Sequence, residues 1–266
     1  MSHTNSPVLF ISHGAPTFAL EPGALGAALQ SIGAALQGIR AVLVVSPHWQ
    51  TRQAVTVMTT AQPPTVHDFG GFPAPLYALQ YPAAGCPDIA AEAARLLKAA
   101  GFDTALDDRR GLDHGAWVPL MHLLPQANIP VFQVSMPMQL TTAQALALGQ
   151  ALAPLRAQGV LIVGSGSMTH NLYEIEPPSS PPQAYAQEFA HWIQTALRSN
   201  ARNALIQYRR EAPHAERAHP TEEHFLPLLV ALGASTETDT LQRVGGEVLY
   251  GVLSMDSYLW APLATA

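Results

Sequence analysis

A three-layer α/β/α domain with a mostly parallel or mixed central sheet is what this sequence predicts, on three observations. Short runs rich in Val, Ile and Leu recur along the chain. Stretches of helical periodicity lie between them. Hydrophobic residues make up 48% of the 266 residues, against 12% charged. Runs that are apolar on successive residues suit strands covered on both faces, and strands alternating with helices belong to the α/β class. The length fits one large domain, and no repeat or linker divides it, so residues 1–266 read as a single domain.

The strand runs are PVLFIS (7–12), AVLVVS (41–46), residues 54–59, PVFQVS (130–135), VLIVGS (160–165) and EVLYGVLSM (247–255). Helical patterns fill 22–38, 87–101, 141–158, 183–200 and 221–232. Pro87 suits a first helical turn because its missing N–H would be unsatisfied there anyway, and Thr141 can cap a helix start through its hydroxyl. Gly159, just after Arg156, stands where a C-terminal glycine cap belongs. The run PPSSPP (177–182) is a loop that no helix can cross. Residues 61–85 carry five prolines, and an irregular stretch of that length in a compact domain is usually a lid or a site wall.

Bulk properties exclude several classes of function. A net charge of −6 offers no basic face to a nucleic acid. Cys86 is the single cysteine, so no intrachain disulfide can form and a reducing, cytoplasmic setting is expected. Residues 1–7 lack the basic-then-apolar order of a signal peptide, and no apolar run approaches the roughly 20 residues of a membrane helix.

Eleven histidines stand against 13 Lys+Arg, and their positions matter more than their number. His13 follows the first strand run, His48 the second and His170 the fifth, each just past a carboxyl edge, where open α/β sheets bind ligands. His224 lies in HPTEEHFLPLL, where Thr221 as N-cap would put it in the first turn of an apolar helix. The positive end of that helix would disfavour protonation, which suits a metal ligand. His114 sits in the turn-like Leu112-Asp113-His114-Gly115. His67 shares the long loop with Phe69 and Phe72, two aromatics that suit either a pocket wall or packing. His3, His122, His191, His214 and His219 have no such context. No GxGxxG, Walker A or GxSxG pattern is present, the run Gly164-Ser165-Gly166-Ser167 is only weakly like a phosphate-cradling turn, and Cys86 has no catalytic partner.

The motifs HGAP (13–16), SPHW (46–49), HDFGGFP (67–73), DHGAW (113–117), THN (169–171), EEHFLPLL (222–229) and GVLSMDSYLW (251–260) together resemble the class III extradiol ring-cleaving dioxygenases, in the DOPA 4,5-dioxygenase-like branch. They span nearly the whole chain in the family's order. The resemblance implies an enzyme that opens catechol-type rings, DOPA-like or related dihydroxyphenyl compounds, with O₂ at a non-haem metal. His13, His48 and His224 would be the metal ligands, and His170 an acid/base group counted in some members as a fourth ligand. His114 would be the second catalytic histidine.

Two departures bear on the metal. The wider class has a glutamate as third ligand, giving the two-His-one-carboxylate face of iron(II) oxygenases, where this chain has His224; Ala15 stands where the branch usually has Ser. Ring opening calls for Fe(II), yet three neutral imidazoles also suit Zn(II) as the bound metal. Trp49, His67, Phe69 and Phe72 are the candidate substrate contacts. The residues themselves leave two alternatives open: a zinc-dependent hydrolase on the same histidines, or a non-catalytic protein that binds a metal or an aromatic.

Overall fold

Ten strands are found among residues 5–263, the part of the chain that the computed structural model describes. They are β1 (Val8–Ser12), β2 (Ala41–Thr51), β3 (Val55–Met58), β4 (Thr104–Asp107), β5 (Val131–Pro137), β6 (Val160–Gly166), β7 (Thr240–Val244), β8 (Val248–Leu249), β9 (Leu253–Ser254) and β10 (Ser257–Ala261). Eight form one sheet in the order β4-β3-β5-β2-β6-β1-β10-β7. Its centre, β5-β2-β6-β1, is parallel, while β10 and β7 add antiparallel at one side and β3 pairs antiparallel with β5 at the other. The sheet is therefore mixed. The central strands are fully buried from Val8 to Ile11 and from Ala41 to Val45 because their apolar runs face helices on both sides.

Six longer helices supply those outer layers: α1 (Gly23–Ala35), α2 (Pro87–Ala99), α3 (His114–Leu123), α4 (Thr142–Leu152), α5 (Ala184–Arg198) and α6 (Leu226–Ala234). Side chains on β6 alternate between the layers. Ser165 points toward α3, where its hydroxyl donates to Gly115 O, whereas Gly164 and Gly166 lie flat against the Pro227 and His224 carbonyls at the start of α6. The Gly-Ser run is thus a strand that lets α6 approach closely, not an anion cradle. Thr141 and Gln144 form a reciprocal capping box on α4, and Gly159 takes the left-handed cap conformation at φ 83°. No helix among the described residues is long and apolar enough to cross a membrane.

Several elements differ from the sequence expectation. The run 247–255 is no single strand: Tyr250 and Gly251 take positive φ of 52° and 70° and fold it into the β8–β9 hairpin. The strand that joins the main sheet beside β1 is β10. The helix expected over 141–158 stops at Leu152 and continues as a 3-10 turn (Ala153–Gln158), since Pro154 lacks the N–H an α-helix needs. His3 lies outside the described residues.

A candidate metal centre

β1, β2 and β6 end at one edge of the sheet, and the three histidines expected there meet over it. His13 follows β1 directly, and its backbone N–H donates to Gly166 O of β6 at 2.9 Å. His48 lies inside β2, not beyond it. Between Val45 and Gln50 the pairing of β2 with β5 loses register: five steps on β2 match two on β5, from Val134 to Met136. Excursions of this kind re-aim side chains near active sites. Buried Asp113 holds this one in place. Its carboxylate accepts from Ser46 Oγ at 2.9 Å, Gln133 Nε2 at 2.8 Å and Arg110 Nη2 at 2.9 Å, and Arg110 also donates to His48 O at 3.1 Å. A Cβ on Gly115 would collide with Ser46 Oγ and His48, so this position needs glycine.

His224 does not sit in the first turn of α6. It precedes the N-cap residue Phe225, and Thr221 bonds Glu223 through its hydroxyl instead of capping the helix. A turn is used here because the His224 carbonyl must accept from Ser167 N–H at 2.9 Å, which fastens the turn to the end of β6. His170 stacks on His224, ring centroids 3.5 Å apart and 10° from parallel. His114 opens α3 and lies 3.8 Å from the His48 ring.

These five rings share one cavity of about 500 Å³, walled also by Phe69, Phe72, Leu172, Ile175, Tyr250 and Leu253. The potential ligand atoms of His13, His48 and His114 lie within 4.8 Å of one another, and so do those of His170, Glu223 and His224. The His224 ring lies 5.5 Å from that of His13 and 5.2 Å from that of His48, so it bridges the two groups.

Hydrogen-bond partners separate the histidines by role. The Ser165 hydroxyl donates to Gly115 O, so it accepts from His13 Nδ1 at 2.9 Å. Glu223 Oε1 accepts from His224 Nδ1 at 3.2 Å. Asp68 Oδ2, a carboxylate oxygen, lies 3.7 Å from His48 Nδ1. Each of the three rings therefore carries its proton toward an acceptor on Nδ1 and keeps Nε2 as a lone pair. The Nε2 atoms of His13 and His48 face each other at 3.1 Å. Two lone pairs this close repel unless a cation lies between them, so this donor set fits a metal ion. His114 differs: its Nδ1 is 3.1 Å from Asp68 Oδ1 but off the hydrogen-bond axis, and the carboxylate accepts instead from its backbone N–H at 2.9 Å.

The rings are neutral at pH 7. Burial, then the neighbouring His48, holds His13 well below the ordinary value of 6.5, and burial followed by His170 does the same for His224. Burial first and His114 second bring His48 to about 4; burial brings His170 to about 4 against the opposing charge of Glu223. Burial alone would raise the Asp68 carboxyl, but hydrogen bonds and charge from His114, with a smaller part from His48, outweigh it and set it at about 2. Neutral imidazoles are the form that binds metals.

The remaining candidates are distributed unevenly. Phe69 and Phe72 line the cavity, ring centroids 5.5 Å apart and edge to face. Trp49 and His67 do not line it. Trp49 is buried under the Arg110 guanidinium, 5.2 Å from the ring, and His67 donates to Leu79 O at 3.0 Å and packs against Trp117. Asp68, Ser165 and Tyr250 escaped the sequence reading. Only Asp68 carried a signal, a carboxylate beside a histidine in a loop expected to be a site wall.

The other described histidines lie away from the cavity. His122 donates to Phe18 O at 2.8 Å, His214 bonds Glu188 at 2.8 Å and His191 is exposed on α5. His219 is fully buried, donates to Met168 O at 2.9 Å and is pushed down to about 3 by burial. An unfolded histidine takes a proton near 6.5, so between pH 6.5 and about 3 the unfolded chain binds the extra proton. Stability should fall with pH across that window, by up to about 1.4 kcal/mol per pH unit from this group. Denaturation midpoints measured against pH should show a shallower acid slope in His219→Gln than in the parent; equal slopes would remove His219 as a cause.

Comparison with known proteins accords with this geometry. Residues 7–253 match the family described as the catalytic LigB subunit of aromatic ring-opening dioxygenase. The chain is 41% identical over 254 residues to the Beta vulgaris protein named 4,5-DOPA dioxygenase extradiol, covering 94% of each. It is 38% identical over 263 residues to the Escherichia coli K12 protein of the same name, covering 96% of this chain and 94% of the other. The crystal structure of an uncharacterized Escherichia coli K12 protein superposes with a TM-score of 0.78 at 30% identity, covering 96% of this chain and 99% of that one. Nearly the full length of the chain, its mixed sheet and its histidine-lined cavity are thus accounted for together: it belongs to the class III extradiol dioxygenases of the LigB family, oxidoreductases that open aromatic rings at a histidine-bound non-haem metal.

Proposed function

We propose that this chain works as one catalytic domain that opens catechols with O₂ at a ferrous ion held by Nε2 of His13, His48 and His224. The observation that carries the reading is the shared tautomer: in each ring Nδ1 faces an acceptor (Ser165, Asp68 or Glu223) and Nε2 is left as the donor atom for a metal. When bound, ferrous iron supplies the redox step that lets triplet O₂ react with a closed-shell ring, which zinc does not.

The chain's own residues do the rest. A cavity of about 500 Å³ suits one substituted ring, and Phe69 and Phe72 offer it aromatic walls while keeping water from its faces. His170, neutral at pH 7 and lining the cavity, can take a proton from a catechol hydroxyl and return it. His114 lines the same cavity, its backbone anchored by Asp68, and can move the second proton. Glu223 serves His224 from outside the cavity, orienting its ring as carboxylates behind ligating histidines do. A reducing cytoplasm would keep both the ion ferrous and the Cys86 thiol free.

Anaerobic loading with Fe(II), followed by oxygen and a panel of catechols, should give a yellow ring-opened product. The zinc-loaded protein should give none. Ester hydrolysis by the zinc form without oxygen, with nothing formed by the iron form, would replace this reading with a zinc hydrolase.

A further inference from the structure

We infer that the preferred substrate is a catechol bearing an uncharged, apolar substituent, and that Leu172, Ile175 and Leu253 set the preference. The inference rests on the catechol reading above and narrows it.

Beyond its histidines the cavity is walled by Phe69, Phe72, Leu172, Ile175, Leu253 and the Tyr250 ring, and no Lys, Arg, Asp or Glu is among its described lining residues. Charged side chains are near in sequence, but each is turned elsewhere. Glu174 shares a turn with Leu172, yet it accepts from Arg217 Nε and Nη2 at 3.0 and 2.7 Å on the outer surface. Arg217 lies in turn over the Tyr185 ring at 4.0 Å. Glu223, next to His224, lines a separate cavity with Arg209. Arg110 is committed to Asp113, and Asp68 to the backbone of His114.

Sites that select carboxylates present an Arg, a Lys or a set of convergent N–H donors. Here a carboxylated tail entering the cavity would meet apolar side chains and lose hydration without gaining a counter-ion. An alkyl tail would bury its surface against the same groups. Leu172 and Ile175 are 58% and 43% exposed, so these two apolar residues also flank the mouth through which a longer tail leaves.

The test compares kcat/KM of the iron-loaded protein on 4-propylcatechol, dihydrocaffeate, L-DOPA and unsubstituted catechol. The propyl compound should exceed both carboxylated compounds by about tenfold or more, the order of discrimination a pocket of this kind supplies. Ile175→Arg, at a partly exposed site that tolerates a long side chain, should lower the ratio of propylcatechol to dihydrocaffeate by about tenfold, because it supplies the missing cation. If catechol is opened but the carboxylated compounds match or outrun the propyl compound, the inference fails and the dioxygenase reading stands. Absence of ring opening with all four compounds would sink both.

Discussion

His13→Ala should leave the protein folded but without its metal, and should lower ring-opening turnover by at least about a hundredfold. His13 is 2% exposed and central: its ring lies 5.1 Å from that of His48, 5.6 Å from that of His114 and 5.5 Å from that of His224. Partners behind a metal ligand commonly cost 10- to 100-fold when removed, and a ligand itself costs more. Folding should survive, because in the metal-free protein His13 brings a lone pair against that of His48 and gains little from the contact. The Ser165 hydroxyl keeps its acceptor, Gly115 O. Two measurements check this. Metal content per chain should fall from near one to near zero. The thermal stabilisation that added Fe(II) gives the parent, about 2.7 kcal/mol at a hundred times Kd, should vanish. A variant that still binds one ion and turns over within tenfold of the parent would remove His13 from the ligand set.

His170→Ala should lower turnover by about 10²–10⁴-fold with metal content unchanged, the range expected for loss of a positioned acid/base group. Its ring is stacked flat on His224 and lines the cavity, and it is neutral above a pKa of about 4. A base must be unprotonated to act, so activity in the parent should hold as the pH falls through 6 and 5 and drop only near or below 4. A bound cation would push that limb lower still. The variant also decides between two roles. Lost metal together with lost turnover would make His170 a fourth ligand, whereas unchanged turnover would exclude it from the chemistry.

The sequence disclosed those elements whose physics is local. β1, β2, β5 and β6 are apolar on successive residues because helices cover both faces, and any such run reads as a buried strand. β4 and β7 end the sheet, their residues are largely exposed, and Thr-Ala-Leu-Asp or Thr-Leu-Gln-Arg-Val carries no comparable pattern. α3 was hidden by Pro119 within it and by the turn-like residues at its start. The same division holds for the site. His13, His48 and His170 were visible as residues at strand ends, but the groups that fix their tautomers are distant in sequence. Ser165 is 152 positions from His13, and no single-chain pattern connects them. Trp49 and His67 attracted notice as an aromatic and an imidazole near the motifs, yet burial under Arg110 and a bond to Leu79 O occupy them.

The excursion in β2 between Val45 and Gln50 has a consequence for how this site can vary. His48 faces the cavity because β2 spends more residues than β5 over the same span, and the surplus, not any one side chain, sets its direction. Removing a single residue there would leave all the histidines in the sequence and still turn the imidazole away from its partners, since each step along a strand reverses the face a side chain occupies. At this position the catalytic information is a length: a deletion scan would find it where a substitution scan of the neighbours would pass over it.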